Sequence, residues 1–312
     1  MKKIFFEKKK FSTAVLLVAF NRPDTTRAVF AAIQRAKPPR LYIAADGPRK
    51  NFQTDIELIA KVKEIVTSVN WPCKVKTLFR KKNIGCGPGV KTAIDWFFKY
   101  EKKGIILEDD TVPTKDFFFF CEELLTRYFN EKRIAMISGT NHTKYKPKKY
   151  SYCFSKNKDC WGWATWKHSW LNMDYSMKWR NDLQAKDILK NMYSNYLSEN
   201  HWKSCINHID NNLVSSWAWP WSFSISSQNQ LCIVPSSNLV KNIGQGDFAT
   251  HTKKLFPIHD KTKGLNFPLK HPKYVCPNYE YDLLFEQYTL QTRGIKKIIP
   301  ISIKNFIKKF FI

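Results

Sequence analysis

The sequence predicts an α/β fold with a mostly parallel central sheet and helices on both faces. Over residues 1–140, short continuous apolar runs alternate with segments of helical periodicity. The runs are typical of strands covered on both faces, and the alternation is typical of parallel sheets. In addition, each polar motif of this half follows a predicted strand, and ligands of such sheets bind beyond the carboxyl ends of the strands.

The elements are predicted in order from these patterns. Apolar runs indicate strands at 13–20, 41–45, 75–79, 104–107 and 134–138. Helical spacing between them indicates helices at 24–35, 54–69, 90–100 and 116–129. Asp24 is a candidate helix cap, and Thr54 with Glu57 fits a capping box at the second helix.

The rest of the chain follows different patterns. Residues 146–292 are irregular and rich in Lys, Tyr and Trp, with helical stretches near 182–208. We expect them to form the second half of one domain whose first half is residues 1–145. Residues 293–312 are basic, and Ile303, Phe306 and Phe310 lie on one helical face. This tail is predicted to be an amphipathic helix at a membrane surface, with a solvated terminal helix as the alternative.

The charge and the cysteines restrict the classes of function. The 52 Lys plus Arg against 26 Asp plus Glu give a net charge of +26, so an anionic partner is expected unless the surplus is a bias of the source proteome. The eight Cys form no Cys-x-x-Cys pair, which favours reduced thiols in the cytosol. Residues 1–10 lack the apolar stretch of a signal peptide. An apolar run of transmembrane length does not occur in the sequence.

The acidic triplet Glu108-Asp109-Asp110 follows the predicted strand at 104–107. Adjacent carboxylates after a buried strand are costly unless a positive charge compensates for them. Carboxylate oxygens suit Mg²⁺ or Mn²⁺, and such an ion neutralises a diphosphate leaving group. The alternative is a solvated acidic turn before a helix.

Seven short motifs in order along residues 13–252 carry a resemblance to a known family. They are Phe20-Asn21-Arg22-Pro23, Asp46-Gly47-Pro48-Arg49, Asn83-Ile84-Gly85-Cys86-Gly87, Glu108-Asp109-Asp110, Cys160-Trp161-Gly162-Trp163-Ala164-Thr165-Trp166, Ser216-Trp217-Ala218, and Asn242-Ile243-Gly244 leading to Ala249-Thr250-His251-Thr252. In this order they resemble nucleotide-diphospho-sugar transferases of the GT-A fold, specifically the family 2-like glycosyltransferases of bacterial cell-surface glycans. The resemblance implies a Rossmann-like sheet with an irregular acceptor-side lobe. It also implies transfer of a sugar, expected to come from a UDP-sugar, to a glycan or glycolipid of lipopolysaccharide or capsule.

The resemblance also implies roles for individual residues. Arg22 and Arg49 would face the pyrophosphate, and Asp46 the base or ribose. Asp110 would bind Mn²⁺ or Mg²⁺, and His251 would be a late ligand to the metal or a phosphate. The other positions expected to contact the donor are Phe20, Asn21, Asn83, Gly85, Glu108, Asp109, Trp161 and Trp163. Plainer alternatives are a surface arginine, a tight glycine turn, a structural histidine and core tryptophans.

The general base that deprotonates the acceptor hydroxyl in inverting transfer is predicted to be Asp210 or Asp247. Related sequences often carry an acid where this chain has Ala218, so the base stays open, as does a retaining outcome. Two other functions compete: a catalytically silent GT-A-like binding protein, and a nucleic-acid-binding protein. We expect no nucleic-acid partner, because no reading module is recognisable. The expected location is cytoplasmic, peripheral on the inner face of the cytoplasmic membrane through residues 293–312.

Overall fold

The fold alternates strands and helices through its first half and then adds short strands from the second. The computed structural model describes residues 11–192, 196–244 and 261–292. Its strands are β1 Val15–Ala19, β2 Arg40–Ala45, β3 Lys74–Phe79, β4 Lys103–Glu108, β5 Thr111–Pro113, β6 Ile134–Ser138, β7 Tyr152–Ser155, β8 Trp163–Trp166, β9 Leu231–Pro235 and β10 Val240–Asn242. Its α-helices are α1 Pro23–Ala36, α2 Thr54–Thr67, α3 Cys86–Tyr100, α4 Lys115–Arg127, α5 Lys167–Trp170, α6 Ala185–Met192, α7 Tyr196–Asp210, α8 Ala218–Ser227 and α9 Tyr279–Thr292.

The central sheet of the described chain has eight strands in the order β3-β2-β1-β4-β8-β6-β9-β7. Strands β3, β2, β1 and β4 are parallel to one another. Strand β8 runs antiparallel between β4 and β6, while β9 is parallel to β6 and β7 antiparallel to β9. The predicted α/β class is therefore confirmed, with a mixed sheet whose parallel strands lie on one side.

Helices cover both faces of this sheet. Alternate residues of β1 point to opposite faces, so Leu17 packs with α1, α2 and α4, while Leu16 packs with α3 and α8. Both leucines are completely buried. Because every central strand is apolar on both sides, the sheet is fixed from both faces, and the loops at its carboxyl edge start from rigid strand ends.

Three short strands of the second half, β7, β8 and β9, extend the central sheet, although the sequence pattern there was irregular. Each has four or five residues, which is too short for a clear strand period.

The predicted capping box at α2 is wrong. No side-chain cap is made there, and Glu57 instead forms an ion pair with Lys61. Helix α3 also begins earlier than predicted, at Cys86, since the proline in its first turn is compatible with a helix start.

The sequence led to two predictions about membranes, the lack of a spanning segment and an amphipathic tail. Within the described residues, no helix combines the length and apolarity that crossing a bilayer requires. The predicted amphipathic tail at 293–312 lies outside the described residues.

We predict that Gly104→Ala lowers the free energy of unfolding by about 1–3 kcal/mol, because the added methyl group overpacks the core. A Cβ at this position of β4 would overlap the ring of Phe97 on α3 and lie 3.0 Å from the carbonyl oxygen of Ala14. Urea unfolding measures the loss. The control is Leu183→Ala at an exposed position, expected to change stability by less than about 0.5 kcal/mol. Equal midpoints for Gly104→Ala and wild type would contradict the close packing of α3 on β4.

Candidate active site

The candidate active site lies at the carboxyl edge of the parallel strands. Residues 20–22 follow β1, Asp46 follows β2, and the acidic triplet begins at the last residue of β4. Since β1 pairs in parallel with both β2 and β4, these strand ends meet at one edge. The structure thus brings together the motifs that the sequence separates by several dozen residues.

Arg22 connects the end of β1 to the acidic triplet. Its guanidinium donates to the carboxylate of Asp109 and lies 3.0 Å from Oδ2 of Asp110. The backbone N–H of Phe20 also donates to Asp109, at 3.2 Å. Burial alone would lower the pKa of Arg22, but the charges of Asp109 and Asp110 outweigh burial and leave that pKa raised. The guanidinium therefore stays charged and compensates for part of the acidic cluster.

The triplet nevertheless has a surplus of negative charge. Burial, followed by the charges of Asp110 and Asp109, raises the pKa of Glu108 to about 8. Burial likewise raises the pKa of Asp109, although Arg22 opposes this. Asp109 is 3% exposed, whereas the side chain of Asp110 is 17% exposed and is more accessible to a ligand. Because a pKa of about 8 keeps Glu108 mostly protonated at neutral pH, one guanidinium faces the two charges of Asp109 and Asp110, which leaves room for a further positive charge.

The segment Asn242-Ile243-Gly244 lies directly on the triplet. Strand β10 pairs antiparallel with β5, and the N–H of Ile243 donates to the carbonyl of Asp110 at 2.8 Å. A Cβ added at Gly244 would overlap the carboxylate of Asp110, so a glycine is needed there for this close approach. The predicted base Asp247 and the predicted ligand His251 follow this segment and lie outside the described residues.

Arg49 is held by an acid that the sequence did not single out as a site residue. Asp55 on α2 accepts from Nε and Nη2 of Arg49 at 2.8 and 2.9 Å, and from Nδ2 of Asn21 at 2.8 Å. Arg49 also lies against the rings of Phe20 and Phe52, 5.5 and 3.7 Å from their centroids. The side chain of Asp55 is completely buried, and its contact with Arg49 lowers its pKa to about 2. This network fixes Arg49 and Asn21 beside the end of β1.

The loop after β3 is clamped by Asp46. Oδ2 of Asp46 accepts from the N–H of Ile84 at 2.9 Å, and the residue is 8% exposed. Asn83 completes the clamp, since its amide donates to the carbonyl of Gly47 and accepts from the N–H of Gly85. Gly85 has φ of 87°, a conformation that favours glycine. In this structure Asp46 and Asn83 shape the loop, and a contact of either with a nucleotide stays a prediction.

The two predicted sugar-facing tryptophans have different surroundings. Trp163 in β8 has no exposed surface, and its ring stacks on Trp217 with centroids 5.4 Å apart. Its predicted role is therefore corrected, because a buried core ring offers no face to a sugar. Trp161 is half-buried, and its ring lies 5.3 Å from that of His142. Only Trp161 of the pair remains a candidate platform.

The predicted base Asp210 ends α7. Both of its carboxylate oxygens accept from Nη1 of Arg180 at 2.8 Å, and its side chain is 46% exposed. The following loop reaches the glycine loop after β3, because Oγ of Ser215 accepts from the N–H of Gly87 at 3.0 Å. Ala218 begins α8 directly after this loop. The loop after Asp210 therefore approaches the candidate active site, while the carboxylate of Asp210 itself is held in an ion pair with Arg180.

A divalent cation fits this edge in charge and donor type. Asp110 offers a hard carboxylate oxygen beside a negative surplus that Arg22 compensates only in part. Across the described residues, no group of three or more His, Cys, Asp or Glu side chains is arranged to hold a metal ion. A complete ligand set would thus include groups from the substrate or from beyond those residues, as the sequence predicts for His251.

Comparison with known proteins gave only weak structural similarities. Neither the protein-family models nor the curated proteins gave a match. Among solved structures, the chain is similar to HddC from Yersinia pseudotuberculosis, with 13% identity over 50% of this chain and 77% of that one and a TM-score of 0.30. It is also similar to the inositol-1-phosphate CTP transferase from T. maritima, with 9% identity over 54% and 76% of the two chains and a TM-score of 0.30. Mouse xyloside xylosyltransferase 1 in its apo form matches with 10% identity over 72% and 84% and a TM-score of 0.32. Two of these proteins are transferases by name, but likenesses this low carry no argument for function.

We predict that Asp55→Asn lowers the free energy of unfolding at neutral pH by about 1–3 kcal/mol, because Arg49 loses a charged hydrogen-bond partner. The folded-state pKa of Asp55 is about 2, below its ordinary value of 3.8. Its contribution is therefore complete above about pH 4 and is lost as the pH falls toward 2. Urea unfolding at neutral pH and near pH 3 should show the gap between variant and wild type shrinking.

The control for this prediction is Glu57→Gln on the same helix. Its ion pair with Lys61 is largely exposed, so a change much smaller than that of Asp55→Asn is expected. A gap between Asp55→Asn and wild type that is the same at both pH values would contradict the assigned role of the Asp55 carboxylate.

Proposed function

We propose that this protein is a metal-dependent glycosyltransferase that moves a sugar from a nucleoside diphosphate donor to a hydroxyl of a glycan or glycolipid. The observation that carries the proposal is the placement of Arg22 against Asp109 and Asp110, at the carboxyl ends of the adjacent parallel strands β1 and β4. Such an edge is where parallel sheets bind nucleotides. The seven motifs that resemble GT-A-fold transferases support the same function, and four of them follow β1, β2, β3 and β4.

Two arginines would bind the diphosphate. Arg49 is held in place by Asp55, and Arg22 by the acids after β4, so both guanidinium groups are oriented before a ligand arrives. Guanidinium forks match phosphate oxygens in geometry and charge. Asn21 and the ring of Phe20 would line the diphosphate site beside the two arginines. The Asn83–Gly85 loop would lie against the nucleoside.

Asp110, with His251, would hold Mn²⁺ or Mg²⁺. The ion supplies positive charge that stabilises the departing nucleoside diphosphate. Asp109 orients Arg22, and Asp110 is the more accessible of these two aspartates. Inverting transfer is the expectation for the acceptor side, and Asp210 and Asp247 are the candidate general bases that the sequence names. A UDP-sugar donor and an acceptor in lipopolysaccharide or capsule synthesis complete the proposal.

We predict that Asp110→Asn lowers sugar transfer by about 100-fold or more, because it removes a charge that acts on the transition state. Release of UDP from UDP-glucose, UDP-galactose and UDP-N-acetylglucosamine, with octyl glycosides as acceptors and Mn²⁺ present, measures turnover. Asp187→Asn on α6 is the control, since its carboxylate is exposed and pairs only with Lys190 at 3.7 Å in the described structure. The control should match wild type.

Two outcomes would contradict the proposal. Full activity of Asp110→Asn would remove the metal role of that carboxylate. Binding of these sugar nucleotides by the wild type, without turnover of any of them and without effect of Mn²⁺, would favour a catalytically silent binding protein.

We also propose that residues 293–312 bring the enzyme to the inner face of the cytoplasmic membrane. Each Lys or Arg near an anionic surface contributes about 1 kcal/mol, and the tail carries six of them. Deleting residues 295–312 should reduce sedimentation with vesicles that contain phosphatidylglycerol far more than it reduces activity on a soluble octyl glycoside. Equal vesicle binding by the full chain and the truncated chain would rule out this role for the tail.

A further inference from the structure

A second polar cluster lies among the residues that follow β6 and precede β8. Nε2 of His142 donates to Oδ2 of Asp159 at 2.6 Å, and the hydroxyl of Thr140 donates to the same oxygen. The side chain of His142 is 5% exposed, whereas that of Asp159 is 18% exposed. The half-buried ring of Trp161 packs edge-on against the histidine. None of the roles predicted from the sequence uses His142 or Asp159.

The sheet topology places this cluster beside the acidic triplet. Strand β8 is antiparallel to β4, with Trp163 opposite Ile106, so the residues just before β8 lie next to those that end β4. Strand β8 is also antiparallel to β6, with Trp163 opposite Ser138, and the N–H of Gly139 donates to the carbonyl of Gly162 at 2.8 Å. The residues after β6, before β8 and after β4 therefore share the carboxyl edge of the sheet.

Electrostatics supports this placement. Burial raises the pKa of the Cys160 thiol, and the charges of Asp159 and Glu108 raise it further. One thiol therefore lies within electrostatic reach of both the acidic triplet and the second cluster. The close packing of Val240 against Gly139 and Gly162 joins the same region to β10, which leads to the Gly244 contact with Asp110.

We infer that Asp159 is the general base that deprotonates the acceptor hydroxyl, an inference that rests on the proposed function. Thr140 and His142 both donate to Oδ2, which fixes the carboxylate and leaves Oδ1 to accept the proton. The acceptor oxygen forms its bond to the anomeric carbon of the donor while its proton passes to Oδ1. The bond from that carbon to the phosphate oxygen breaks, and the nucleoside diphosphate leaves with the electron pair.

The surroundings of Asp159 suit this step better than those of Asp210. Both oxygens of Asp210 bind one guanidinium nitrogen of Arg180, so it would have to break an ion pair before it accepts a proton. In contrast, the partners of Asp159 among the described residues occupy a single oxygen. Trp161 adds an aromatic ring next to the cluster, and acceptor sugars pack well on such rings. His142 acts here through Asp159 and is a positioning residue.

The test is Asp159→Asn, assayed by UDP release from the same UDP-sugars with octyl glycosides. We expect kcat to fall by about 100-fold or more, in the range found for loss of general-base catalysis. The KM for the donor and the calorimetric affinity for UDP with Mn²⁺ should stay within about twofold of wild type, since the diphosphate side is untouched. Asp187→Asn is the matched control, and Asp110→Asn is measured in parallel.

The two proposals fail in different ways. If Asp159→Asn keeps kcat within about threefold of wild type while Asp110→Asn is inactive, the function stands and Asp159 is not the base. Asp210→Asn and Asp247→Asn would then identify it. If the wild type transfers no sugar, both proposals are overturned.

A second variant keeps the test decisive if Asp159→Asn does not fold. His142→Gln retains an N–H donor but changes its position, so kcat should fall by about 10-fold with the donor KM unchanged. The acid limb of its pH profile should also move relative to wild type. An unchanged kcat and an unchanged profile would overturn the assigned role of the pair.

Discussion

The ion pair of Arg22 with Asp109 and Asp110 is the interaction on which the arrangement of this edge depends. Three acidic residues, Glu108, Asp109 and Asp110, lie at the end of β4, and Asp109 is almost completely buried. Removing Arg22 would leave the buried carboxylate of Asp109 without a compensating charge, which destabilises the fold. Arg22 thus fixes the start of α1 against the end of β4. It compensates for only part of the negative charge, and the proposed cation would compensate for the rest.

The position of β8 explains how both halves of the chain contribute to this edge. A strand from the second half lies antiparallel between β4 and β6, both of which come from the first half. Its leading residues therefore lie between the acidic triplet and the segment that carries His142. The tryptophans of this region, including Trp163 and Trp217, fill the core beneath the site. They support its shape, while the polar residues at the edge carry the proposed binding and catalytic roles.

Sequence patterns predicted the first half of the fold well, because β1, β2, β4 and β6 are largely buried on both faces. Strand β6 matches its predicted bounds, and β1, β2, β3 and β4 differ from theirs only at the ends. Strands β7, β8 and β9 were not predicted, since four or five residues carry little periodicity. Their place in the sheet depends on partners distant in sequence, which local patterns do not encode.

The site residues likewise divide into those that local sequence motifs indicated and those that depend on tertiary contacts. The strand-end motifs indicated that Arg22 and the acidic triplet belong together, and the structure places them in contact. No role was predicted for Asp55, because its bonds to Arg49 and Asn21 arise from tertiary packing. Trp163 was predicted to face a sugar, but burial in β8 cannot be inferred from a Trp-Gly-Trp pattern alone.

The most direct test of the central claim is a calorimetric titration of UDP into the wild-type protein, with Mn²⁺ and with EDTA. Because coupling between two ligands is reciprocal, the account predicts UDP affinity at least about 10-fold higher with Mn²⁺, and equal affinities under the two conditions would contradict it.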